Sequence, residues 1–101
     1  MKIDFSNIIY QPDGKTPFKE NDKIMTLGKI CSIALQVVDP KAEPKDKARA
    51  GFLSMQTWSE ELIEVSSEDV TMMKSSIART ISDTVIIYQA TKLLEEIESK
   101  K

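Results

Sequence analysis

A general base, a nucleophile, a metal ligand set and a phosphate cradle each demand particular residue types, and this sequence supplies few of them. It has no histidine, which removes the commonest general base and metal ligand. Cys31 is the only cysteine. Without histidine it cannot complete a structural zinc site of the usual kinds, and alone it cannot form an intramolecular disulfide, which fits a reducing compartment. A serine nucleophile would need lysine as its base, yet no Ser-x-x-Lys spacing and no G-x-S-x-G elbow occurs. The three glycines are not clustered, which excludes a P-loop or a dinucleotide fingerprint. Asp13-Gly14 lacks the acidic residues that continue a calcium loop. The adjacent acids Glu60-Glu61, Glu68-Asp69 and Glu95-Glu96 read as solvated surface or helix-start charge. The expectation is a protein that is not an enzyme, with no catalytic residue, no metal ligand and no cofactor.

What remains is surface. Leu53 and Trp58 lie off the centre of the stripe Ala48–Phe52–Met55 and together suggest a second apolar surface, suited to a dimer or a protein partner. Trp58 is the foremost residue of that surface, because tryptophan is over-represented at binding hot spots; the alternative is that it seals the core edge above Phe52. Lys47, Arg49 and Arg79 are the basic residues best placed near it. They would read an acidic partner or a phosphate, or else be solvated in the ordinary way. Cys31, Met25, Met55 and Met73 read as core, whereas Met72 falls off the face of its helix.

The elements that must position these residues follow from periodicity. Residues 1–25 read as a β-hairpin region. Ile3-Asp4-Phe5-Ser6 alternates apolar and polar and Ile8-Ile9-Tyr10 extends it. Pro12-Asp13-Gly14 turns the chain, Thr16–Phe18 returns, Lys19–Lys23 is a loop or second turn, and Ile24-Met25 is a last extended pair. Residues 26–38 form a helix capped by Thr26, with Leu27, Ile30, Cys31, Ala34, Leu35 and Val38 as its stripe. Residues 39–44, with two prolines, are a linker. Residues 45–60 form a second helix, entered at Pro44, in which Gly51 permits close approach. Residues 62–65 are a short strand able to add to the N-terminal sheet.

The last third, residues 66–98, is the stretch around which the pattern organises the rest: two helices broken near Ser82. Ser66 and Asp69 make a capping box. Val70, Met73, Ile77 and Ile81 share one face, and Ile86, Ala90, Leu93, Leu94 and Ile97 the next. Val85, Ile87 and Tyr88 widen that second stripe beyond what one partner helix covers. The fold class is therefore α+β, mostly α, with about four helices and a small N-terminal antiparallel sheet.

At 101 residues the chain is one domain. A net charge of −2, with lysines scattered among acids, gives no reason to expect nucleic acid. Its longest apolar run, Val85 to Tyr88, is far below the ~20 residues of a membrane span. Met1-Lys2-Ile3-Asp4 does not open a signal peptide.

The order of motifs resembles small proteins encoded by tailed bacteriophages and prophages, most without an assigned role. The matching residues are Ile3-Asp4-Phe5 with Asp13-Gly14, Thr26-Leu27-Gly28 leading to Ala34-Leu35, and Lys47-Ala48-Arg49. Val65-x-x-Glu68-Asp69-Val70 and Val85-x-x-x-Gln89-x-x-x-Leu93-Leu94-Glu95 complete the set. The resemblance covers nearly the whole chain, although the Pro40–Pro44 linker is longer than the pattern. It implies an accessory, non-enzymatic role in the bacterial host cytoplasm, and it carries over no catalytic residue. Three functions are compatible with it: binding of a host or phage protein, for example as an inhibitor of a host defence system; a virion structural or assembly role, such as a tail or head accessory or chaperone; or binding of a small ligand such as a nucleotide messenger through Arg49 or Arg79. The apolar excess at Val85–Tyr88 and at Leu53/Trp58 points to a homo-oligomer, a two-fold dimer in the first instance. Cover of Val85–Tyr88 by the N-terminal hairpin is the competing arrangement.

Overall fold

Local capping chemistry sets where each helix begins. In the computed structural model, which describes residues 2–37, 39–59 and 62–99 and side chains through residue 96, eight elements follow one another. They are β1 (Lys2–Asp4), β2 (Lys19–Glu20), β3 (Lys23–Ile24), α1 (Leu27–Leu35), α2 (Pro44–Trp58), β4 (Leu62–Glu64), α3 (Ser67–Thr80) and α4 (Thr84–Ser99). The protein is α+β and mostly α: four helices with two small two-stranded antiparallel sheets. Thr26 accepts the Lys29 N–H at the start of α1, and Pro44 occupies the first turn of α2. At α3 the Ser66 hydroxyl accepts the Asp69 N–H while the Asp69 carboxylate accepts the Ser66 N–H, so two otherwise unpaired donors are satisfied reciprocally. Asp83 accepts the Val85 and Ile86 N–H groups and so begins α4. Val38, Glu60, Glu61 and the side chain of Ile97, all named above, lie outside the described residues.

β1 pairs with β4, Ile3 opposite Ile63, so the late strand does join the N-terminal one. Both isoleucines are buried and their neighbours exposed, the alternation of a sheet with one wet face. Of the two expectations for Lys19–Lys23, a loop or a second turn, the structure has the turn, closed by two short strands. Lys19–Glu20 and Lys23–Ile24 pair around Asn21 and Asp22, at φ 53° and 62°. Two consecutive positive φ values make the tight hairpin turn whose twist matches the strands, and Asn and Asp tolerate that region best. Between the two sheets, Ile9, Phe18 and Met25 close a ring of backbone bonds: Ile9 N–H to Met25 C=O (3.0 Å), Met25 N–H to Phe18 C=O (2.8 Å) and Phe18 N–H to Ile9 C=O (2.8 Å). Gly14 takes φ 72° in the turn between the first two of these stretches, a conformation that glycine adopts without a Cβ penalty.

The organising element is α1 rather than the C-terminal pair. It packs on α2, α3 and α4, and Leu27, Ile30, Cys31, Ala34 and Leu35 are all buried. Around it stand Ile3, Phe5 and Ile9, then Val70, Met73 and Ile77 of α3 and Ile86, Ala90 and Leu94 of α4. The α1–α2 contact is unusually close because small residues make it. A Cβ on Gly28 would lie 2.4 Å from the Thr57 carbonyl oxygen and 2.9 Å from that of Phe5. One turn along, the Ser32 hydroxyl donates to the Ser54 C=O and the Ser54 hydroxyl to the Ser32 C=O, both at 2.8 Å.

That contact reverses the reading of α2. Its buried face is Ala50, Leu53, Ser54 and Thr57. Leu53, expected to point away from the core, is 0% exposed. Ala48 and Met55, expected in the core, are exposed, and Phe52 is about half exposed. Gly51, expected at the close approach, is exposed, and a Cβ added there would meet nothing within 4 Å; Gly28 fills that role. The physical reason is that hydroxyls form half of the buried face. Each is satisfied by a backbone carbonyl, Thr57 by that of Leu53 at 2.9 Å, so burial does not strand a polar group.

Candidate protein-binding surface

With Leu53 turned inward, the outer face of α2 carries the exposed apolar residues. Met55 is 81% exposed, Trp58 56% and Phe52 49%. Ala48, Gly51, Met55 and Trp58 recur at intervals of three, four and three residues, so they share one helical face, with Phe52 on its flank. Beside them runs an open hollow of about 370 Å³, lined by Ser32 and Gln36 of the α1 side and by Gly51, Ser54, Met55 and Trp58. Ile33 and Val37, also exposed, lie at the end of α1. Trp58 forms the wall between this hollow and one of about 430 Å³ that reaches Met25, Lys29 and the β2–β3 turn. Large apolar side chains left open side by side on one helical face make this a candidate interaction surface.

The residues named from sequence separate in space. Trp58 is on this face. Leu53 is beneath it, in the core. Lys47 is exposed near the start of the same helix. Arg49 is committed elsewhere: its Nε donates to Asp69 Oδ1 (3.0 Å) and a terminal nitrogen to Oδ2 (2.7 Å). The Arg49 guanidinium holds the Asp69 carboxyl below the usual carboxylate range; burial opposes it and the Ser66 N–H assists. The fork joins α2 to the capped start of α3, so a guanidinium expected to read a partner instead fixes two helices. It also lies 5.1 Å from the Phe52 ring centroid, within cation–π range, and so orients that ring at the edge of the apolar face. Arg79 is not near Trp58. It donates to the Val37 C=O at 3.1 Å and lines a shallow hollow with Asp39 and Asp46. Asp46 is twelve residues from Trp58 along α2, roughly 18 Å at the helical rise. Arg49 is thus paired with one carboxylate, and Arg79 shares its hollow with two.

The apolar excess on α4 is taken up only in part within the chain. Ile86 is buried, and Val85 and Ile87 are half-buried. Gln89 pairs with the backbone of Tyr10 as a neighbouring strand would, its amide accepting the Tyr10 N–H at 2.8 Å and donating to the Tyr10 C=O at 2.6 Å. Tyr10, Gln11 and Pro12 face Val85 across an open hollow of about 310 Å³, and Tyr88 is 63% exposed. Phe52, Met55 and Gly51 were missed as surface residues. The signal that could have found them is the small-residue series Gly28, Ser32, Ser54 and Thr57, which matches one close-packed face to another.

Cys31 is fully buried, and desolvation pushes its thiol pKa up, the environment of an inert packing residue. Among the described residues no three or more Cys, Asp or Glu are grouped to hold a metal ion, and no helix is long and apolar enough to cross a membrane. No protein-family model, curated protein or solved structure matches the chain.

Proposed function

We propose that this chain is a phage-related accessory protein that performs no catalysis and acts in the bacterial cytoplasm by binding another protein through the outer face of α2, in the manner of an inhibitor of a host defence system. The observation that carries the reading is the exposure of Met55, Trp58 and Phe52 on one continuous face beside an open hollow. Hydrophobic and aromatic anchors of this kind supply most of the energy of protein interfaces. The occupation of Arg49 by Asp69 and the acidic surroundings of Arg79 favour a protein partner over a nucleotide.

The test is affinity capture from host lysate with the wild-type chain and with Met55→Glu. Specific recovery of a host protein that Met55→Glu loses is the expected result. Recovery of the same proteins by both forms, or of none, overturns the reading. Mass spectrometry of purified particles distinguishes an accessory factor, absent from the virion, from a structural component.

A further inference from the structure

The outer face of α2 has an internal order that suits it to one occupant in particular. Its N-terminal half is small, Ala48 and Gly51; its C-terminal half is large, Phe52, Met55 and Trp58. We infer that this face pairs with the same face of a second copy of the chain, the two α2 helices antiparallel about a two-fold axis passing between residues 51 and 52. The inference rests on the reading of α2 as the binding face: the free chain covers that face with a second copy until a protein partner displaces it.

In that register Phe52 meets the partner's Gly51, Met55 meets the partner's Ala48 and Trp58 meets the partner's Lys45. Each large side chain faces a small one or a flexible stem, which is the complementarity a two-fold interface requires, since one surface must fit itself. The hollow beside Gly51, about 370 Å³ and walled by Met55 and Trp58, is where the Phe52 ring of the second copy enters. Lys45 extends its methylene stem along the indole with its ammonium at the rim.

Gly51 is the independent observation. It stands in the middle of a 15-residue helix, where glycine is destabilising relative to alanine. Nothing in its own chain lies within 4 Å of where a Cβ would be. Within one chain it therefore serves no packing purpose, whereas against a second α2 it supplies the recess. The start of α2 carries Glu43, Lys45, Asp46 and Lys47, with Lys45 3.7 Å from Glu43, so its charge is balanced and the antiparallel direction rests on the size order of the face. A parallel arrangement would place large residues on large.

A standard interface covers about 800 Å² per partner, roughly an eighth of the 6203 Å² surface of this chain. The outer face of α2 is about 22 Å long and is extended by Ile33 and Val37, exposed at the end of α1; because area does not set affinity, the pairing is tested across a range of concentration.

Sedimentation velocity of the full chain, from low micromolar to several hundred micromolar, should show a monomer–dimer equilibrium. Gly51→Gln, exposed and helix-compatible, should weaken it on the order of tenfold or more with an unchanged circular dichroism spectrum. For the register, Ala48→Cys and Met55→Cys chains are treated with a short bis-maleimide, separately and mixed, with the wild type as the blank for buried Cys31. The mixture should cross-link well beyond either alone. Stronger cross-linking within either single variant means a parallel or shifted pairing and overturns the register. A mass that stays monomeric throughout overturns the self-pairing, and if Met55→Glu still abolishes capture of a host protein, the binding-face reading survives that failure. A dimer that resists Gly51→Gln overturns the proposed surface.

Discussion

Two glycines on adjacent helices should respond to the same substitution with opposite signs. In Gly28→Ala the new methyl would lie 2.4 Å from the Thr57 carbonyl oxygen, and backbone must retreat by about 0.6 Å to reach even the 3.0 Å that real contacts keep. The second obstacle, the Phe5 carbonyl at 2.9 Å, accepts the Gly28 N–H, so moving α1 away also strains that bond. Overpacking of this kind costs about 1–3 kcal/mol. Displacing the reciprocal Ser32–Ser54 bonds one turn along adds about 1 kcal/mol, while alanine's helix preference returns at most about 1 kcal/mol. The net loss is about 1–3 kcal/mol, a fall in Tm of roughly 4–24 °C for a domain of this size. Gly51→Ala meets nothing, so it should gain about 1 kcal/mol and raise Tm by roughly 4–8 °C. Thermal unfolding followed by circular dichroism, at a concentration low enough to keep the chain monomeric, reads both. A neutral Gly28→Ala would refute the close α1–α2 contact, and a destabilising Gly51→Ala would mean that something in the same chain packs against that position.

Leu53→Ala and Met55→Ala should differ in the same assay: about 3–5 kcal/mol for the buried leucine and within about 0.5 kcal/mol for the exposed methionine; equal losses would contradict the assigned orientation of α2. Asp69 has a folded pKa below the usual 3.8 because Arg49 and Ser66 stabilise its carboxylate, so its contribution is complete above the unfolded pKa and is lost as pH falls through the lower folded value. Acid titration of stability should therefore be less steep for Asp69→Asn than for the wild type below pH about 4, and parallel curves would remove Asp69 from the account. Cys31, buried and with its thiol pKa raised, should react with maleimides only as fast as the chain unfolds; rapid labelling under native conditions would place it at the surface.

The fold was legible where local chemistry decides it. Thr26, Pro44, Ser66 with Asp69, and Asp83 each start a helix by satisfying or removing an unpaired N–H, and such signals act over three residues. The stripes of α1, α3 and α4 were readable because leucine, isoleucine, valine and methionine mark their buried faces. In α2 the buried face is half hydroxyl, so hydrophobic periodicity selected the opposite side. Only the tertiary pairing of Ser54 with Ser32, and the fit of Gly28 beneath Thr57, explains how that face is buried. The second turn within Lys19–Lys23 was legible but the strands that flank it were not, because Lys19, Glu20 and Lys23 are exposed and the turn rests on the positive φ of Asn21 and Asp22. Of the site residues, Trp58 lies on the exposed face, while the pairing of Arg49 with Asp69 was not legible, because its acid partner is twenty residues away and no spacing rule links them.

Trp58 is the sole tryptophan and stands on the proposed face, so its fluorescence reports directly on whether that face is covered. As the full chain is concentrated, its emission should shift to the blue and acrylamide should quench it less, while Gly51→Gln keeps the exposed signal at every concentration. Emission and quenching that stay constant for the wild type across the same range would mean that the outer face of α2 remains in water, and would contradict its pairing with a second copy.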